Sequence, residues 1–378
     1  MEKKIALTHL VDLLEKKRKI AANLEDILSV DSKRTALNDH HSRRKPRPCG
    51  MTIHTGVGCS YLCAYCYIYD MGFTAVPKPY PLKPEEIVYA LTQNPYIVPE
   101  RTLAAYGSVT EPFLPETVHR AIEYMRDIWR WLNLPTQLST KAILTDDIIS
   151  GVLSGDPNAS VLITVVTLSN RRLEPRAPDP LKRIESAGRA LEKGLKVSLF
   201  IRPIIPGVTD REAEKILTAS ADKGIDSVVL GSLRVTESIL WRLEKSGVAR
   251  EEIEKRLAEP LKGSGQIEVR SSDLKDKIRR LAEEFGFKVF RAACEANIYS
   301  HGRYCAMCRI GPCNIDVKAK GLDEEDLRDL LEYLGIRYLG VEVDDKAVKI
   351  MLRKTGIDER IKYLVSTATY RKTIIIKA

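Results

Sequence analysis

The chain of 378 residues lacks two features that mark membrane and secreted proteins. It has no run of eighteen apolar residues, the length from which a membrane-spanning helix is predicted. Its first twenty residues mix Lys and Glu among spaced leucines, so they lack the apolar core of a secretory signal. We therefore expect a cytoplasmic protein without a membrane partner. In that reducing compartment, its eight cysteines are expected to bind metal rather than to form disulfides.

Aromatic residues are also few, at 6% of the chain, whereas hydrophobic residues make up 44% and charged residues 29%. This composition fits a globular protein with one large core and a smaller appendage. Lys and Arg outnumber Asp and Glu by 60 to 51, which gives a formal net charge of +9. Such an excess favours an anionic partner such as RNA or DNA, and the alternative is a solvated basic surface.

A strand–loop–helix pattern repeats from about residue 51 and predicts an α/β fold. Six short apolar segments are typical of buried parallel strands. Six such units predict a parallel sheet that curves into a partial (β/α)6 barrel, with ligands at the carboxyl ends of the strands. The predicted strands are 51–55, 102–106, 136–140, 160–167, 195–201 and 226–230, and the predicted helices are 5–28, 83–92, 115–132, 145–153, 180–193, 210–223, 236–258 and 273–285.

Four segments are predicted along the chain. Residues 1–48 combine an N-terminal helix with a basic, proline-containing stretch, which is predicted to be a linker or an extended arm. Residues 49–290 hold the barrel, and residues 291–320 hold a second group of cysteines. Residues 321–378 are predicted to form a small α+β extension, whose role the sequence does not indicate.

Three cysteines lie within eight residues, in the loop that follows the first predicted strand. Cys59, Cys63 and Cys66 form a C-x3-C-x2-C motif, which supplies three thiolates to a [4Fe-4S] cluster and leaves one iron open for cofactor chemistry. The alternative is a zinc site completed by Cys49 or His54. Structural zinc usually takes two separate ligand pairs, so the spacing favours the iron–sulfur cluster.

This loop resembles the cluster-binding motif of the radical S-adenosylmethionine (radical SAM) enzymes. Four further segments are similar to those of the spore photoproduct lyase-like branch of that family, also called DNA repair photolyase-like. These segments occur in the same order at residues 106–116, 139–141, 173–178 and 203–210. The resemblance implies a partial (β/α)6 radical SAM barrel, with an N-terminal helical segment and the small C-terminal extension outside it.

The resemblance also implies an enzyme that binds S-adenosylmethionine at the open iron of its cluster. An electron from a reductant such as ferredoxin or flavodoxin would then release a 5′-deoxyadenosyl radical, which abstracts hydrogen from a substrate. We expect that substrate to be a nucleic acid; Arg176 and Arg202, at predicted strand ends, either hold its anionic groups or form structural salt bridges. The alternatives are a peptide, protein or small-molecule substrate, or a metal-dependent nucleic-acid-binding protein without catalysis.

Contacts to the cofactor follow from the same resemblance. Tyr65 is expected beside the adenine, Ser108 and Thr164 near S-adenosylmethionine, and Lys141 facing its carboxylate. Glu111 either accepts a hydrogen bond from the methionyl amine or caps the following helix. The plain alternatives are core packing for Tyr65 and a surface position at a strand end for Lys141.

One departure from the lyase pattern concerns hydrogen donation to the product radical. Spore photoproduct lyase has a donating cysteine near the position of Ser108, whereas this chain has no cysteine between Cys66 and Cys294. The thymine-dimer reaction is therefore not expected. Tyr67 and Tyr106 are the candidates for radical transfer in its place.

A second cysteine group is another departure from that branch. Cys294, Cys305, Cys308 and Cys313 have the spacing C-x10-C-x2-C-x4-C, and His301 adds a candidate fifth donor. Four thiolates this close can bind a second [4Fe-4S] cluster or close a tetrahedral zinc site. The uneven spacing favours the iron–sulfur cluster, which would engage substrate or relay electrons.

Overall fold

The computed structural model describes residues 9–47, 50–263, 265–308, 313, 322–353 and 359–377. Cys49, the alternative ligand for the first motif, lies outside these residues. The described α-helices are α1 (Leu10–Ile27), α2 (Val30–Asn38), α3 (Pro84–Gln93), α4 (Val118–Leu132), α5 (Asp146–Gly155), α6 (Pro180–Glu192), α7 (Thr209–Ala221), α8 (Glu237–Lys245), α9 (Arg250–Glu254), α10 (Ser272–Glu284), α11 (Ala293–Ser300), α12 (Glu324–Tyr333) and α13 (Glu359–Thr369). The described strands are β1 (Met51–Ile53), β2 (Gly56–Val57), β3 (Lys78–Pro79), β4 (Ala104–Tyr106), β5 (Thr136–Thr140), β6 (Ser160–Thr164), β7 (Lys196–Ile204), β8 (Ser227–Ser232), β9 (Arg234–Val235), β10 (Ile267–Glu268), β11 (Lys288–Phe290), β12 (Gly340–Val343), β13 (Ala347–Leu352) and β14 (Lys372–Lys377).

The main sheet consists of parallel strands in the order β1-β4-β5-β6-β7-β8-β11. Helices between the strands supply the crossovers that parallel neighbours require. This sheet confirms the predicted α/β partial barrel and adds a seventh strand, β11, to the six that were predicted. Because β11 has only three residues and begins with the exposed Lys288, it lacks the apolar run by which buried strands are recognised.

Alternate strand residues face opposite sides of the main sheet and build two separate apolar cores. The outer core lies against the helices and includes Ile53, Tyr106 and Leu138, which are neighbours across β1, β4 and β5. The inner core includes Phe200 of β7 and Phe290 of β11, together with residues of α11. Helix α11 also contacts β5, β6 and β11, so it fills the inner side of the barrel.

Helix α11 is fixed to the N-terminal end of β5 by buried polar groups. Asp156 accepts a hydrogen bond from the Thr136 backbone nitrogen at 2.9 Å, and His301 Nε2 lies 2.9 Å from a carboxylate oxygen of Asp156. Asn297 Nδ2 donates to the Pro135 carbonyl oxygen at 3.0 Å. These contacts hold the start of the second cysteine group at the edge of the sheet where its strands begin.

The two terminal segments share a third apolar core. Leu13 of α1 packs in one cluster with Leu330 of α12 and Ile350 of β13. In the small sheet of the extension, β13 pairs antiparallel to β12 and parallel to β14. The N-terminal helix therefore packs directly against the α+β extension, and the Leu10 backbone nitrogen donates to Asp326 Oδ1 although 316 positions of sequence separate the two residues.

Some predicted helix boundaries differ from the observed ones. Helix α4 begins at Val118 rather than at 115. The predicted helix at 236–258 is two helices, α8 and α9, because the chain turns at Gly247, whose φ of +86° favours glycine and ends α8. None of the described helices is long and apolar enough to cross a membrane.

Replacing Asp156 with Ala should weaken the attachment of α11 to β5 and lower the stability of the protein. The buried donors at Thr136 and His301 would lose their acceptor, which costs on the order of 3 kcal/mol of unfolding free energy. Urea denaturation of the anaerobically purified protein measures this loss. Asp222→Asn, an exchange at an exposed carboxylate after α7, is the matched control, and equal stabilities for both variants would contradict the role given to Asp156.

Candidate metal and cofactor site

The first three cysteines lie on one loop, between β2 and β3. Backbone hydrogen bonds shape this loop: the Cys59 nitrogen donates to the Thr74 oxygen at 3.2 Å, and the Cys66 nitrogen donates to the Cys63 oxygen at 3.0 Å. Leu62 adopts φ of +54°, a conformation that few non-glycine residues take. Cys63 is buried, and Cys59 and Cys66 are half-buried. The loop therefore presents three thiols from a fixed backbone, and every described cysteine is free of disulfide bonds.

Arg242 of α8 holds this loop from outside. Its Nε donates to the Ala64 oxygen at 3.1 Å and its Nη2 to the Cys66 oxygen at 2.9 Å. Its Nη1 pairs with Asp70 Oδ1 at 2.9 Å. One guanidinium thus satisfies two carbonyls inside the cysteine motif and one carboxylate just beyond it.

Burial disfavours the thiolate form of all three cysteines. It raises the pKa of Cys63 to about 12, and it also raises the pKa of Cys59 and of Cys66. The positive charge of Lys141 partly opposes the rise at Cys63 and Cys66. Because the thiolate is the metal-binding form, a bound metal must supply the charge that stabilises it.

Tyr65 is held in place by a buried polar network. Its hydroxyl donates to Glu174, and Glu174 Oε2 pairs with Arg183 Nη2 at 2.5 Å. Arg183 also donates to the Thr164 oxygen at 2.9 Å. The ring of Tyr65 is therefore fixed at its hydroxyl end.

The ammonium group of Lys141 lies over that ring. Its Nζ is 5.4 Å from the centroid of Tyr65. Burial lowers the pKa of Lys141, but the negative charges of Cys63 and Glu174 outweigh burial, and the net shift is upward. Among the described residues, Nζ makes no hydrogen bond or ion pair, so the cation is available to an anionic ligand such as a carboxylate.

Glu111 ties the end of β5 to the loop that follows β4. Its Oε1 accepts from Thr140 Oγ1 at 2.5 Å and from the Phe113 nitrogen at 3.3 Å, and its Oε2 accepts from the Lys141 nitrogen at 2.9 Å. Burial raises the pKa of Glu111. Helix α4 starts at Val118, five residues beyond the Phe113 contact, so Glu111 does not cap it.

The ends of β4, β5 and β6 place the other predicted cofactor residues side by side. Ser108 follows β4, Lys141 follows β5, and Thr164 ends β6. The Ser108 hydroxyl is buried without a hydrogen-bond partner among the described residues, as expected of a group that pairs with a ligand. Buried and half-buried thiols, together with a hydroxyl and a cation that have no partner in the described part of the chain, fit an iron–sulfur cluster with a polar, carboxylate-bearing ligand.

Two of the predicted site residues lie elsewhere. Tyr106 belongs to the outer core and faces the helix layer, and its buried hydroxyl has no partner among the described residues. His301, the candidate fifth donor of the second group, has its Nε2 next to Asp156 and its Nδ1 2.9 Å from the Asn297 oxygen.

The second cysteine group lies at the opposite end of β4 from the first. Cys294, Cys305 and Cys313 are buried in a cluster with Leu103, the residue before β4, and they line one small cavity together with Cys308. Because a strand rises about 3.3 Å per residue, the three residues of β4 alone place about 10 Å between the two ends of this strand. Residues 309–312 and 314–321, between and after these ligands, lie outside the described residues.

Three arginine side chains lie near enough to Tyr67, beside the first motif, for their charges to act on its hydroxyl. Tyr67 is 37% exposed, and its hydroxyl donates to the Ser108 oxygen at 2.6 Å. Burial and the neighbouring Cys66 raise the pKa of Tyr67, whereas the charges of Arg47, Arg202 and Arg44 oppose the rise. The four side chains Tyr67, Arg44, Arg47 and Arg202 are called the arginine patch below.

The arginine patch is built from two distant parts of the chain. Asn94 Nδ2 donates to the Arg44 oxygen at 2.9 Å, so the basic stretch before β1 packs against the barrel. Arg202 extends from β7 across Gly231, where a Cβ atom would come within 2.5 Å of the arginine side chain. Neither Arg202 nor the exposed Arg176 forms a salt bridge with any described residue, so the salt-bridge alternative is not what the structure contains.

Three histidines pack beside this patch. His41 is buried, and His40 and His54 are half-buried. Burial lowers the pKa of His40 to about 4 and that of His54 to about 3, and it also lowers the pKa of His41. His54, the alternative zinc ligand for the cysteine motif, thus lies with the other two histidines.

Comparison with known proteins identifies the chemistry of this site. Residues 53–219, which contain the cysteine loop and the ends of β4 to β7, match the radical SAM superfamily. The protein is a radical SAM enzyme. Enzymes of this superfamily use a [4Fe-4S] cluster and S-adenosylmethionine, in agreement with the sequence-based prediction. Uncharacterized protein ORF301 of Acidianus two-tailed virus is 26% identical over 222 residues, which cover 52% of this radical SAM enzyme and 73% of the viral protein.

Solved structures of spore photoproduct lyase share the fold of this radical SAM enzyme. A lyase structure complexed with dinucleoside spore photoproduct has a TM-score of 0.53 and 18% identity, and the match covers 63% of this chain and 75% of that chain. A doubly substituted lyase with bound AdoMet and dinucleoside spore photoproduct has a TM-score of 0.56 and 17% identity, and the match covers 77% and 88% of the two chains. At these identities the similarity concerns the fold.

Sequence reasoning missed several residues that shape the site. Glu174 and Arg183 are nine residues apart, and Arg242 is 176 residues from Cys66. Glu174 lies within the family-like segment 173–178, whereas Arg183 and Arg242 belong to no motif, and the roles of all three depend on tertiary contacts. The histidine pair at 40–41 was the one available signal, since adjacent histidines together with His54 are a candidate metal-ligand set.

Replacing Arg242 with Met should loosen the cysteine loop. The Ala64 and Cys66 carbonyls and Asp70 would lose their donor, so the bound cluster should become more heterogeneous and be lost faster on exposure to a chelator. Electron paramagnetic resonance (EPR) of the reduced cluster and timed iron release measure both effects. Lys245→Met, three residues further along α8, is the control, and identical spectra and release rates in the two variants would refute the role given to Arg242.

Proposed function

We propose that this enzyme cleaves S-adenosylmethionine reductively and uses the resulting radical to modify a nucleic acid. The observation that carries the substrate part is the arginine patch, whose cationic side chains form no salt bridge with any residue of the described ranges. The net charge of +9 supports the same substrate class, because phosphate contacts dominate affinity for nucleic acids. A peptide or small-molecule substrate would not need this cationic surface.

Cys59, Cys63 and Cys66 are proposed as the three protein ligands of a [4Fe-4S] cluster. When bound, this cluster supplies the electron that splits the sulfonium of S-adenosylmethionine into methionine and a 5′-deoxyadenosyl radical. The chain keeps the ligand loop rigid through Arg242. It also surrounds the loop with apolar side chains such as Leu173 and Leu240, which exclude water from the reaction.

The remaining cofactor contacts are proposed from position and charge. Lys141 pairs with the methionyl carboxylate, because its ammonium group has no other partner among the described residues and lies above the buried loop. Tyr65 offers its ring to the adenine while Glu174 holds the hydroxyl. The free hydroxyl of Ser108 donates to a cofactor oxygen. Glu111 already accepts hydrogen bonds from three protein donors, one of which is the Lys141 backbone nitrogen. Its proposed role is therefore to position Lys141 rather than to bind the methionyl amine.

Binding of the substrate is proposed at the arginine patch. Arg47 and Arg202 take phosphate groups, and Tyr67 offers an exposed ring for stacking a base. Spore photoproduct lyase, which shares the fold, has been solved with a dinucleoside photoproduct, and this supports a nucleotide as the class of substrate. Tyr67 is also the proposed group for radical transfer, since its O–H can give a hydrogen atom to a substrate carbon radical; Tyr106 faces the helix layer and is not favoured.

The second cysteine group is proposed to bind an auxiliary iron–sulfur cluster that relays electrons. Its location at the opposite end of β4 from the first cysteine loop favours a relay over contact with a substrate at the cofactor. A second cluster there would relay electrons from a reductant such as ferredoxin or flavodoxin towards the first cluster, along the direction of β4. Zinc bound by the same thiolates is the alternative, and it could not carry electrons.

Anaerobic reconstitution should give an enzyme that forms 5′-deoxyadenosine from S-adenosylmethionine when dithionite is added. Replacing Cys59, Cys63 and Cys66 with Ser removes the ligands of the first cluster and should abolish this product, as measured by liquid chromatography. The matched control is Cys305→Ser/Cys313→Ser, which leaves the first loop intact. Stoichiometric iron without any 5′-deoxyadenosine in the wild type would favour the non-catalytic binding protein.

Nucleic-acid binding should be salt-dependent and should depend on the arginine patch. Each of Arg47→Gln and Arg202→Gln should lower the slope of log affinity against log salt by about 1, since each removes one phosphate contact. Lys196→Gln is the matched control, because Lys196 is exposed at the opposite end of β7 from Arg202. Fluorescence anisotropy with single-stranded and duplex oligonucleotides measures the slopes. Equal slopes for all variants would contradict a nucleic-acid substrate at this surface.

Iron analysis should distinguish the two metals at the second group. The wild type is expected to hold about eight iron atoms and Cys305→Ser/Cys313→Ser about four. That variant should keep its dithionite-driven formation of 5′-deoxyadenosine but lose at least about 90% of the rate with flavodoxin, because the relay is gone. About four irons plus one zinc in the wild type would establish the alternative, and an unchanged flavodoxin rate would exclude the relay.

A further inference from the structure

The three histidines beside the arginine patch form a group that the proposed reaction does not use. His40 and His41 begin the short 3-10 helix after α2, and His54 directly follows β1. The ring centroids are 4.1 Å apart for His40 and His41, 4.8 Å for His40 and His54, and 5.3 Å for His41 and His54. Each of the three rings offers one nitrogen atom, and these nitrogens all lie within 4.8 Å of one another. Among the described residues, no other group of three His, Cys, Asp or Glu side chains brings its ligand atoms this close together.

Asp39 sets the orientation of His41. A carboxylate oxygen of Asp39 lies 2.6 Å from His41 Nδ1 and also accepts from the His41 backbone nitrogen at 2.9 Å. An ionised carboxylate only accepts hydrogen bonds, so Nδ1 of the neutral ring carries the hydrogen. The lone pair of His41 is then on Nε2. This atom accepts a long hydrogen bond of 3.3 Å from the His54 backbone nitrogen.

The same carboxylate orients His40 through Tyr80. The Tyr80 hydroxyl donates its hydrogen to Asp39 Oδ2 at 2.7 Å, so it can only accept from His40 Nδ1 at 3.2 Å. The lone pair of His40 is therefore also on Nε2. That atom is buried and has no hydrogen-bond partner among the described residues, which is costly unless a ligand pairs with it.

We propose that His40, His41 and His54 bind a divalent transition-metal ion, with zinc as the preferred ion. Three imidazoles with a fourth position left to water or an anion are a common ligand set for zinc. A carboxylate that fixes the tautomer of a ligating histidine is the usual outer shell of such a site, and Asp39 has this place for His41 directly and for His40 through Tyr80. This site is separate from both cysteine groups.

Arg44 is the competitor for the third ligand. Its Nη1 donates to His54 Nε2 at 3.3 Å, and its charge opposes a cation at this place. Metal binding requires this long contact to break. Removing the charge of Arg44 should therefore strengthen metal binding, whereas a purely structural histidine cluster gives no reason for such a gain.

The test is a titration of the full-length protein with cobalt(II), after both cysteine groups have been filled by anaerobic reconstitution. The clusters are kept oxidised because they then give no EPR signal, so EPR detects the bound cobalt alone. Electron spin echo envelope modulation then detects the nitrogen nuclei of coordinated imidazole. We expect one equivalent of cobalt with imidazole couplings in the wild type, and its displacement by zinc. His40→Gln and His54→Gln should each weaken binding at least tenfold, Asp39→Asn by about 10–100-fold, and Arg44→Gln should strengthen it.

His119→Gln is the matched control, because His119 is exposed on α4, away from the proposed site. This variant should bind cobalt as tightly as the wild type does. Circular dichroism without added metal establishes that each variant is folded. If His40→Gln fails to fold, His54→Gln and the zinc-dependent rise in the melting temperature of the wild type still decide the question. Absence of that rise, sulfur coordination of the cobalt, or unchanged binding in His54→Gln would overturn the proposal.

Discussion

The parallel direction of the seven main strands is the constraint on which the whole site depends. All carboxyl ends of parallel strands meet at one edge, so groups from distant segments of sequence come together there. Ser108, Lys141 and Thr164 end three neighbouring strands, and the cysteine loop follows β1 at the same edge. The opposite edge holds the second cysteine group, and α11 anchors it to the start of β5. The main sheet thus separates the first cysteine loop from the second cysteine group.

Within that frame, buried charges fix the site more than they stabilise the fold. Burying the Glu174–Arg183 pair costs desolvation that the ion pair barely repays, so such a pair contributes little to net stability. Its structural effect is local: it fixes the Tyr65 hydroxyl and, through Arg183, the end of β6. Lys141 makes no ion pair with any of the residues that the structure describes, which suits a cofactor that carries a carboxylate.

The sequence was informative wherever a local pattern carries the signal. Short apolar runs predicted six of the seven strands, the spacing of Cys59, Cys63 and Cys66 predicted a cluster with an open iron, and the resemblance of the loop to a known family predicted the radical SAM chemistry. The three-residue β11 had no such run. Contacts between distant segments also had no local signal. Arg242 contacts the cysteine loop from α8. The side chain of Tyr106 lies in the outer core, and the sequence of β4 does not indicate which of its residues face the helices.

The residue roles in the cofactor site depend on one property of the first cluster. One of its irons has no cysteine ligand and binds S-adenosylmethionine. Electron–nuclear double resonance of the reduced enzyme tests it most directly, with S-adenosylmethionine labelled by ¹⁵N in the amino group and ¹⁷O in the carboxylate. We predict that both labels couple to the cluster spin in the wild type and that the carboxylate coupling weakens or is lost in Lys141→Met. A reduced first cluster without coupling to either label, at saturating cofactor, would contradict the account.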